Sequence, residues 1–319
     1  MATDSSKRFD PASGTIVIRS ADGLRLSGSR LEGGSPSVLL AHGFGQTRQS
    51  WSATQARLAA DGYASLAFDT RGHGKSERNP DQSAYSAAQF IADLAAAAAE
   101  LGDKPVLVGA SMGGLTGLLA QAERDLFSAL VLVDVTPRWE AAGAQRIHAF
   151  MTAHPEGFDS FEHAAQVIAD YLPHRRQRKT PEQLAHLLQA DQDERLRWHW
   201  DPRLLSEFIA GSEQFQGIVS AAAGRIDVPV LLISGGRSDL VSDDTVAHFQ
   251  ELVPQARHIR LPEATHMVAG DDNDTFTDAL LGFLRAQFPS SNQAAEPADI
   301  SGPSSRSTPS QSTPPGVQR

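Results

Sequence analysis

Cysteine is absent from the 319-residue chain. That excludes a disulfide framework, a thiolate metal site and a cysteine nucleophile, and it fits a reducing cytoplasm. Long apolar runs are missing as well. The alanine-rich stretch from Ala95 to Ala99 is short and lies between Asp93 and Glu100, far below the roughly 20 apolar residues of a membrane span. The opening residues, MATDSSKRFDPASG, have no apolar centre of the secretory kind. Positive charge is in deficit: 28 Lys and Arg stand against 38 Asp and Glu, a formal net charge of −10. Such a balance speaks against a nucleic-acid or anionic-membrane partner. No HExxH spacing and no zinc-like histidine cluster occurs. The expectation is a cytoplasmic protein needing no metal and no cofactor; its oligomeric state is left open.

What the chain does contain is an alternation of short β-rich runs and helical patterns, the signature of a mostly parallel sheet with crossover helices. Thr15–Arg19 and Leu24–Ser29 read as a hairpin around Asp22-Gly23. Val38–Ala41, Ala64–Phe68, Val106–Val108, Leu130–Val133 and Val230–Ile233 are apolar and nearly uncharged, as strands buried on both faces are. Arg257–Leu261 reads as a further, more exposed strand. Residues 137–225 show little strand signal and four helical stretches, Trp139–Ala153, Phe158–Tyr171, Pro181–Gln192 and Pro202–Phe215. They predict a helical cap inserted after the sixth strand of a core formed by residues 15–136 and 226–288. Residues 1–14 are expected to be flexible. The Ser/Pro-rich tail, 289–319, has too little to bury and is expected to be disordered.

Two nucleotide-binding look-alikes fail on inspection. Gly74-Lys75-Ser76 ends like a phosphate loop, but the opening glycine falls at Asp69; Gly43-Phe44-Gly45 has Arg48 at the third glycine position. The segment that carries chemistry is Gly109-Ala110-Ser111-Met112-Gly113. It joins a predicted strand to a predicted helix (Gly114 to Arg124), the context in which G-x-S-x-G becomes informative. Projecting Ser111 from so tight a turn demands positive-φ geometry, and the flanking positions are then too close for side chains larger than hydrogen. The competing reading is a plain helix N-cap. A hydroxyl nucleophile needs a base, and the base an orienting acid. His266 follows the last predicted strand. Asp239 follows Val230–Ile233, and Asp134 follows Leu130–Val133; Asp239 is preferred because its glycine-rich loop is free to bend. The His42-Gly43-Phe44-Gly45 turn can offer a second amide to an oxyanion. Asp69, Arg71, His42 and His73 are read as braces of the turns beneath the site.

HGFG, DTRGHGKS, GASMGG, GGRSDLV and ATHMVAG together resemble the α/β-hydrolase superfamily over about residues 15 to 288. The resemblance implies the α/β-hydrolase fold, Ser111 as nucleophile, His266 as base, Asp239 as acid, and the Phe44 and Met112 amides as oxyanion hole. Epoxide hydrolases and haloalkane dehalogenases look similar but carry aspartate where this chain has Ser111. The reading is a serine hydrolase of an apolar or aromatic carboxylic ester or lactone. The alternatives are a carbon–carbon bond hydrolase of ring-fission products, cofactor-free perhydrolysis, and a non-catalytic small-molecule receptor. Trp139, Trp198 and Trp200 are read in two ways, as packing of the cap on the core or as an apolar or aromatic pocket wall. The basic run His174–Lys179 is expected to be a solvated face.

Overall fold

In the computed structural model, which describes residues 14–80, 83–102, 104–171, 180–205, 212–268 and 273–289, the apolar runs become one eight-stranded sheet. Its strands are β1 (Thr15–Arg19), β2 (Arg25–Leu31), β3 (Gly34–Ala41), β4 (Tyr63–Phe68), β5 (Val106–Ala110), β6 (Ala129–Val133), β9 (Val230–Gly235) and β10 (Arg257–Leu261). The spatial order is β1-β2-β4-β3-β5-β6-β9-β10. β1 and β2 form the hairpin, and β2 runs antiparallel to β4. The pairings from β4 through β3, β5, β6 and β9 to β10 are parallel.

Alternation within each strand divides the core into two layers. Leu39, Leu107, Leu130, Leu132 and Leu232 point to one face, where they meet Leu94 of α2 (Ala87–Ala99), Leu118 of α3 (Met112–Arg124), Val219 of α7 (Ser212–Ala223) and Phe249 of α8 (Asp243–Leu252). Val38, Leu40, Val106, Val108, Val131 and Ile233 point to the other. They pack on Leu58 of α1 (Ser52–Ala60) and on Phe276, Leu280 and Leu284 of α9 (Asn273–Gln287). β4, β6 and β9 are buried along their whole length. β10, at the edge, is largely exposed. The expected strands and the expected exposure of Arg257–Leu261 are therefore present.

The insert between β6 and β9 contains α4 (Ala141–Thr152), α5 (Phe161–Tyr171) and the single turn α6 (Pro181–Leu184). It is less purely helical than its pattern predicts. In place of a helix from Pro181 to Gln192 there is a small antiparallel hairpin, β7 (Leu188–Ala190) with β8 (Leu196–Trp198). The cause is the turn between them: the Asp191 carboxylate accepts the Asp193 and Arg195 N–H groups at 2.9 Å each, and Glu194 takes a φ of 59°. An aspartate that satisfies its own loop backbone competes with helix. Of the helix expected at Pro202–Phe215, residues 203–205 are helical and 212–215 belong to α7; residues 206–211, the run His174–Lys179, residues 1–13 and the tail from 290 lie outside the described residues.

Candidate active site

Strand register brings the chemistry together. Ala41 pairs with Gly109, Ala110 with Val133, and Val133 with Ile233, so β3, β5, β6 and β9 end at one level. The ladder continues one residue further: Ser111 N–H donates to Val133 O (3.1 Å) and Asp134 N–H to Ile233 O (2.8 Å). Ser111 and Asp134 thus stand side by side at the carboxyl edge of the sheet. Both have positive φ, 45° and 49°, which non-glycine residues adopt at a cost and chiefly at functional positions.

The glycines around Ser111 are sterically required. A Cβ on Gly109 would lie 2.7 Å from the Gly113 carbonyl, and one on Gly113 would lie 2.5 Å from Ala41 O. The expected crowding is there, although Gly113 is pressed against β3 and not against Gly109 alone. Ser111 occupies the N-cap position of α3 yet makes no side-chain capping bond. The N-cap reading fails, and the hydroxyl faces a cavity instead. Met112 is the first residue of α3, so its N–H has no acceptor within the helix. It adds to the positive end of the helix dipole.

His266 faces Asp134, not Asp239. Its Nδ1 lies 2.7 Å from Asp134 Oδ2. The buried Asp134 carboxylate also accepts Gly235 N–H at Oδ1 (2.8 Å) and the Ser238 hydroxyl at Oδ2 (2.5 Å). Held on three sides, it fixes the imidazole with Nδ1 protonated and leaves Nε2 as an acceptor. The preference for Asp239 is corrected by a packing detail. Gly143 of α4 sits so close to the Asp239 backbone that a Cβ there would lie 2.1 Å from Asp239 O. Glu140 N–H donates to Leu240 O (3.0 Å), and the Asp239 carboxylate pairs with Arg146. The loop that was free to bend towards the histidine is clamped under α4. No hydrogen bond reaches the Ser111 hydroxyl among the described residues, but Ser111 and His266 line the same cavity.

That cavity, about 370 Å³, lies between sheet edge and insert. Gly43, Phe44, Ile147, Met151 and Met267 give it an apolar wall; Arg146, Asp170, Tyr171, Arg237 and Asp239 give it a polar one. Burial, aided by the charge of Asp239, pushes the Tyr171 hydroxyl up to about 12. Behind Ser111 a recess of about 20 Å³ is bounded by Leu115, Asp134, Val135, Trp139, Ala144, Ile147 and Leu240. Of the tryptophans Trp139, Trp198 and Trp200, only Trp139 borders either space. Trp198 packs on Phe158 and Phe150, with ring centroids 5.2 and 5.9 Å away. Trp200 is buried against Phe44 at 5.0 Å.

The Phe44 turn is held by three buried histidines. His42 Nδ1 donates to Gly43 O (2.8 Å), and its Nε2 accepts Thr70 N–H (3.1 Å). Gly45 N–H donates to His73 Nε2 (3.3 Å). His199, from the insert, donates from Nε2 to Gly45 O (3.2 Å) and accepts Gly74 N–H at Nδ1 (2.7 Å). Burial keeps all three rings neutral: His42 and His73 are lowered, and His199 falls to about 4. His42 and His73 brace the turns as expected. Nothing local in the sequence marks His199 or Arg146 for their roles, because their partners lie 154 and 93 residues away. Beneath the site Asp69 accepts Arg48 N–H (2.7 Å) and Lys75 N–H (3.0 Å). Arg71 meets Asp93 through two bonds of 2.6 and 2.7 Å.

Comparison with known proteins agrees with this architecture. The model of the alpha/beta hydrolase fold family matches residues 36–272. A 3-hydroxybutyrate-oligomer hydrolase from Cupriavidus necator is 30% identical over 80% of this chain and 88% of its own. An esterase from Mycobacterium tuberculosis is 30% identical over 81% and 86%. Among solved structures, E-2-(acetamidomethylene)succinate hydrolase superposes with a TM-score of 0.73 at 22% identity, covering 85% of this chain and 98% of that one.

Proposed function

Because the chain belongs to the α/β-hydrolase family and is a hydrolase, we propose that it cleaves a carboxylic ester through an acyl-enzyme on Ser111, with His266 as base and Asp134 as orienting acid. The observation that carries this reading is the 2.7 Å contact between His266 Nδ1 and Asp134 beside an uncapped, positive-φ serine.

Ser111 Oγ attacks the ester carbonyl as its proton passes to His266 Nε2. The substrate completes the serine–histidine contact, which is often long in an empty site. Negative charge gathers on the carbonyl oxygen, facing the Met112 amide at the head of α3 and the Phe44 amide of the turn after β3. Collapse breaks the C–O bond, and the leaving alcohol takes the proton from His266. A water then gives its proton to His266 and attacks the acyl-enzyme. The acid departs, and Ser111 regains its proton. The Phe44 turn, held in place by the hydrogen bonds of His42, His73 and His199 with Gly43 and Gly45, supports the same assignment.

The test compares three variants under one ester assay with fluorophosphonate labelling. Ser111→Ala should lose labelling and turnover. Asp134→Asn should cost roughly 10⁴-fold in kcat, since an amide stabilises the wrong imidazole tautomer. Asp239→Asn should retain activity within about tenfold, because an exposed ion pair contributes little. A crippled Asp239→Asn beside an active Asp134→Asn would refute the acid assignment. Turnover of a vinylogous diketone in preference to every ester would move the reaction to carbon–carbon cleavage.

A further inference from the structure

We propose that the small recess behind Ser111 receives the acyl half of the substrate, so that the enzyme selects esters of short acyl groups, about two or three carbons long, joined to larger polar alcohols. This rests on the reading of Ser111 and His266 given above and adds the substrate class.

Two spaces meet at Ser111. The large cavity is lined by Ser111 and His266; the recess is lined by Ser111 and does not include His266. The alcohol oxygen must take its proton from His266 Nε2 when the ester C–O bond breaks. The alcohol therefore occupies the compartment that His266 lines, and the acyl chain turns the other way. The recess measures about 20 Å³, and a water-sized group needs roughly 10–15 Å³ on this scale. It admits about one methyl or ethyl group. Its walls are the apolar side chains of Leu115, Val135, Trp139 and Leu240, a surface suited to a hydrocarbon stub and unsuited to a charged one.

Ile147 is the partition. It lines both spaces, and it belongs to α4, one turn beyond Ala144 on the same helix. α4 is itself fixed to the core by the close approach of Gly143 to the Asp239 backbone and by the Glu140 N–H bond to Leu240 O, so the partition does not yield readily to a longer chain. On the alcohol side, Arg146, Tyr171, Arg237 and Asp239 present donors and acceptors to a polar group.

The experiment measures kcat/KM for p-nitrophenyl acetate, propionate, butyrate, hexanoate and octanoate, with fluorophosphonate labelling of Ser111 as the check on an intact site. The wild type should favour acetate or propionate and fall by at least about tenfold at hexanoate, since one methylene too many is discriminated about 10–200-fold. Ile147→Ala should move the optimum to butyrate or beyond. Ala144→Val should narrow the recess and depress propionate relative to acetate. If Ile147→Ala does not fold, Leu240→Ala opens the same recess from the core side. Methyl, butyl and benzyl acetates should show no such cut-off. Labelling combined with a wild-type preference for hexanoate or octanoate would overturn the proposal, as would an unchanged order in the enlarged variants or a cut-off on the alcohol side. A wild type that neither labels nor turns over any ester would instead refute the hydrolytic reading of Ser111, and this proposal with it.

Discussion

Acid should weaken this fold through one histidine, and the amount can be worked out. His199 is 2% exposed, and burial lowers it from 6.5 to about 4. A histidine with a depressed folded pKa binds fewer protons in the fold than in the unfolded chain, so stability rises with pH across the gap. Its neutral-state contribution is present above pH 6.5 and is lost as pH falls towards 4. Between pH 7 and pH 5 the unfolded chain takes up about 0.7 of a proton at this position and the fold takes up only about 0.1. That difference costs about 2 kcal/mol. His199→Asn cannot titrate, and its amide oxygen can still accept the Gly74 N–H. Urea unfolding of the wild type and the variant, each at pH 7, 6 and 5, isolates the term because every other titrating group is shared. The gap between the two curves should narrow by about 2 kcal/mol on acidification. Parallel curves would refute the reasoning, since they would mean that His199 protonates alike in both states. The same ring holds the Gly45 carbonyl beside the proposed oxyanion hole, so the variant should also lose kcat at pH 7.

Further outcomes follow from the buried charges and the turn. Arg71→Leu strips the buried Asp93 of its two short bonds and should lower stability by about 3–5 kcal/mol in chemical denaturation. A loss below about 1 kcal/mol would mean that Asp93 finds another partner. Gly109→Ala drives a methyl to within 2.6 Å of Gly114 N; it should fold less stably and reduce fluorophosphonate labelling more than it reduces secondary structure by circular dichroism. Glu263→Gln removes the surface partner of Arg237 and should change the melting temperature by no more than a degree or two, an exposed pair being worth under about 1 kcal/mol.

The sheet was legible because its signal is local. Runs such as Val106–Val108 and Val230–Ile233 are apolar whichever partner they take, and parallel strands buried on both faces have few other uses. Ser111 was legible for a related reason: Gly109 answers a steric demand within five residues of chain, although Gly113 answers one set by Ala41 of β3. Asp134 and Asp239 were not separable. Both follow strands in the same layer, and what decides between them is the crowding of Gly143 onto the Asp239 backbone, a contact spanning almost a hundred residues that leaves no trace near either aspartate. The β7–β8 hairpin was not legible because Leu184, Leu187 and Leu188 stand at the spacing of a helix face within Pro181–Gln192. The deciding feature is the Asp191 carboxylate, which spends its acceptors on its own turn. The bulk of a tryptophan serves a pocket wall and a core alike, and for Trp198 and Trp200 the packing reading is the one the structure shows.

The segment from His199 to Arg203 belongs to the insert in sequence, but its bonds belong to the core. Asp201 N–H donates to Gly72 O (2.8 Å), Tyr85 donates its hydroxyl to the Asp201 carboxylate (2.8 Å), and Arg203 donates to Asn79 O (2.8 Å). With the His199 ring reaching Gly45 and Gly74, this makes a rivet driven through the insert into two sheet-edge loops. A transplant of the insert between relatives would therefore succeed or fail at its seams. Cut at residues 137 and 225, it would carry the rivet away and leave Tyr85 and the Gly45 carbonyl of the recipient facing unfamiliar partners. Cut so that residues 199–203 stay with the sheet, it would exchange the pocket walls and keep the oxyanion turn in its original grip.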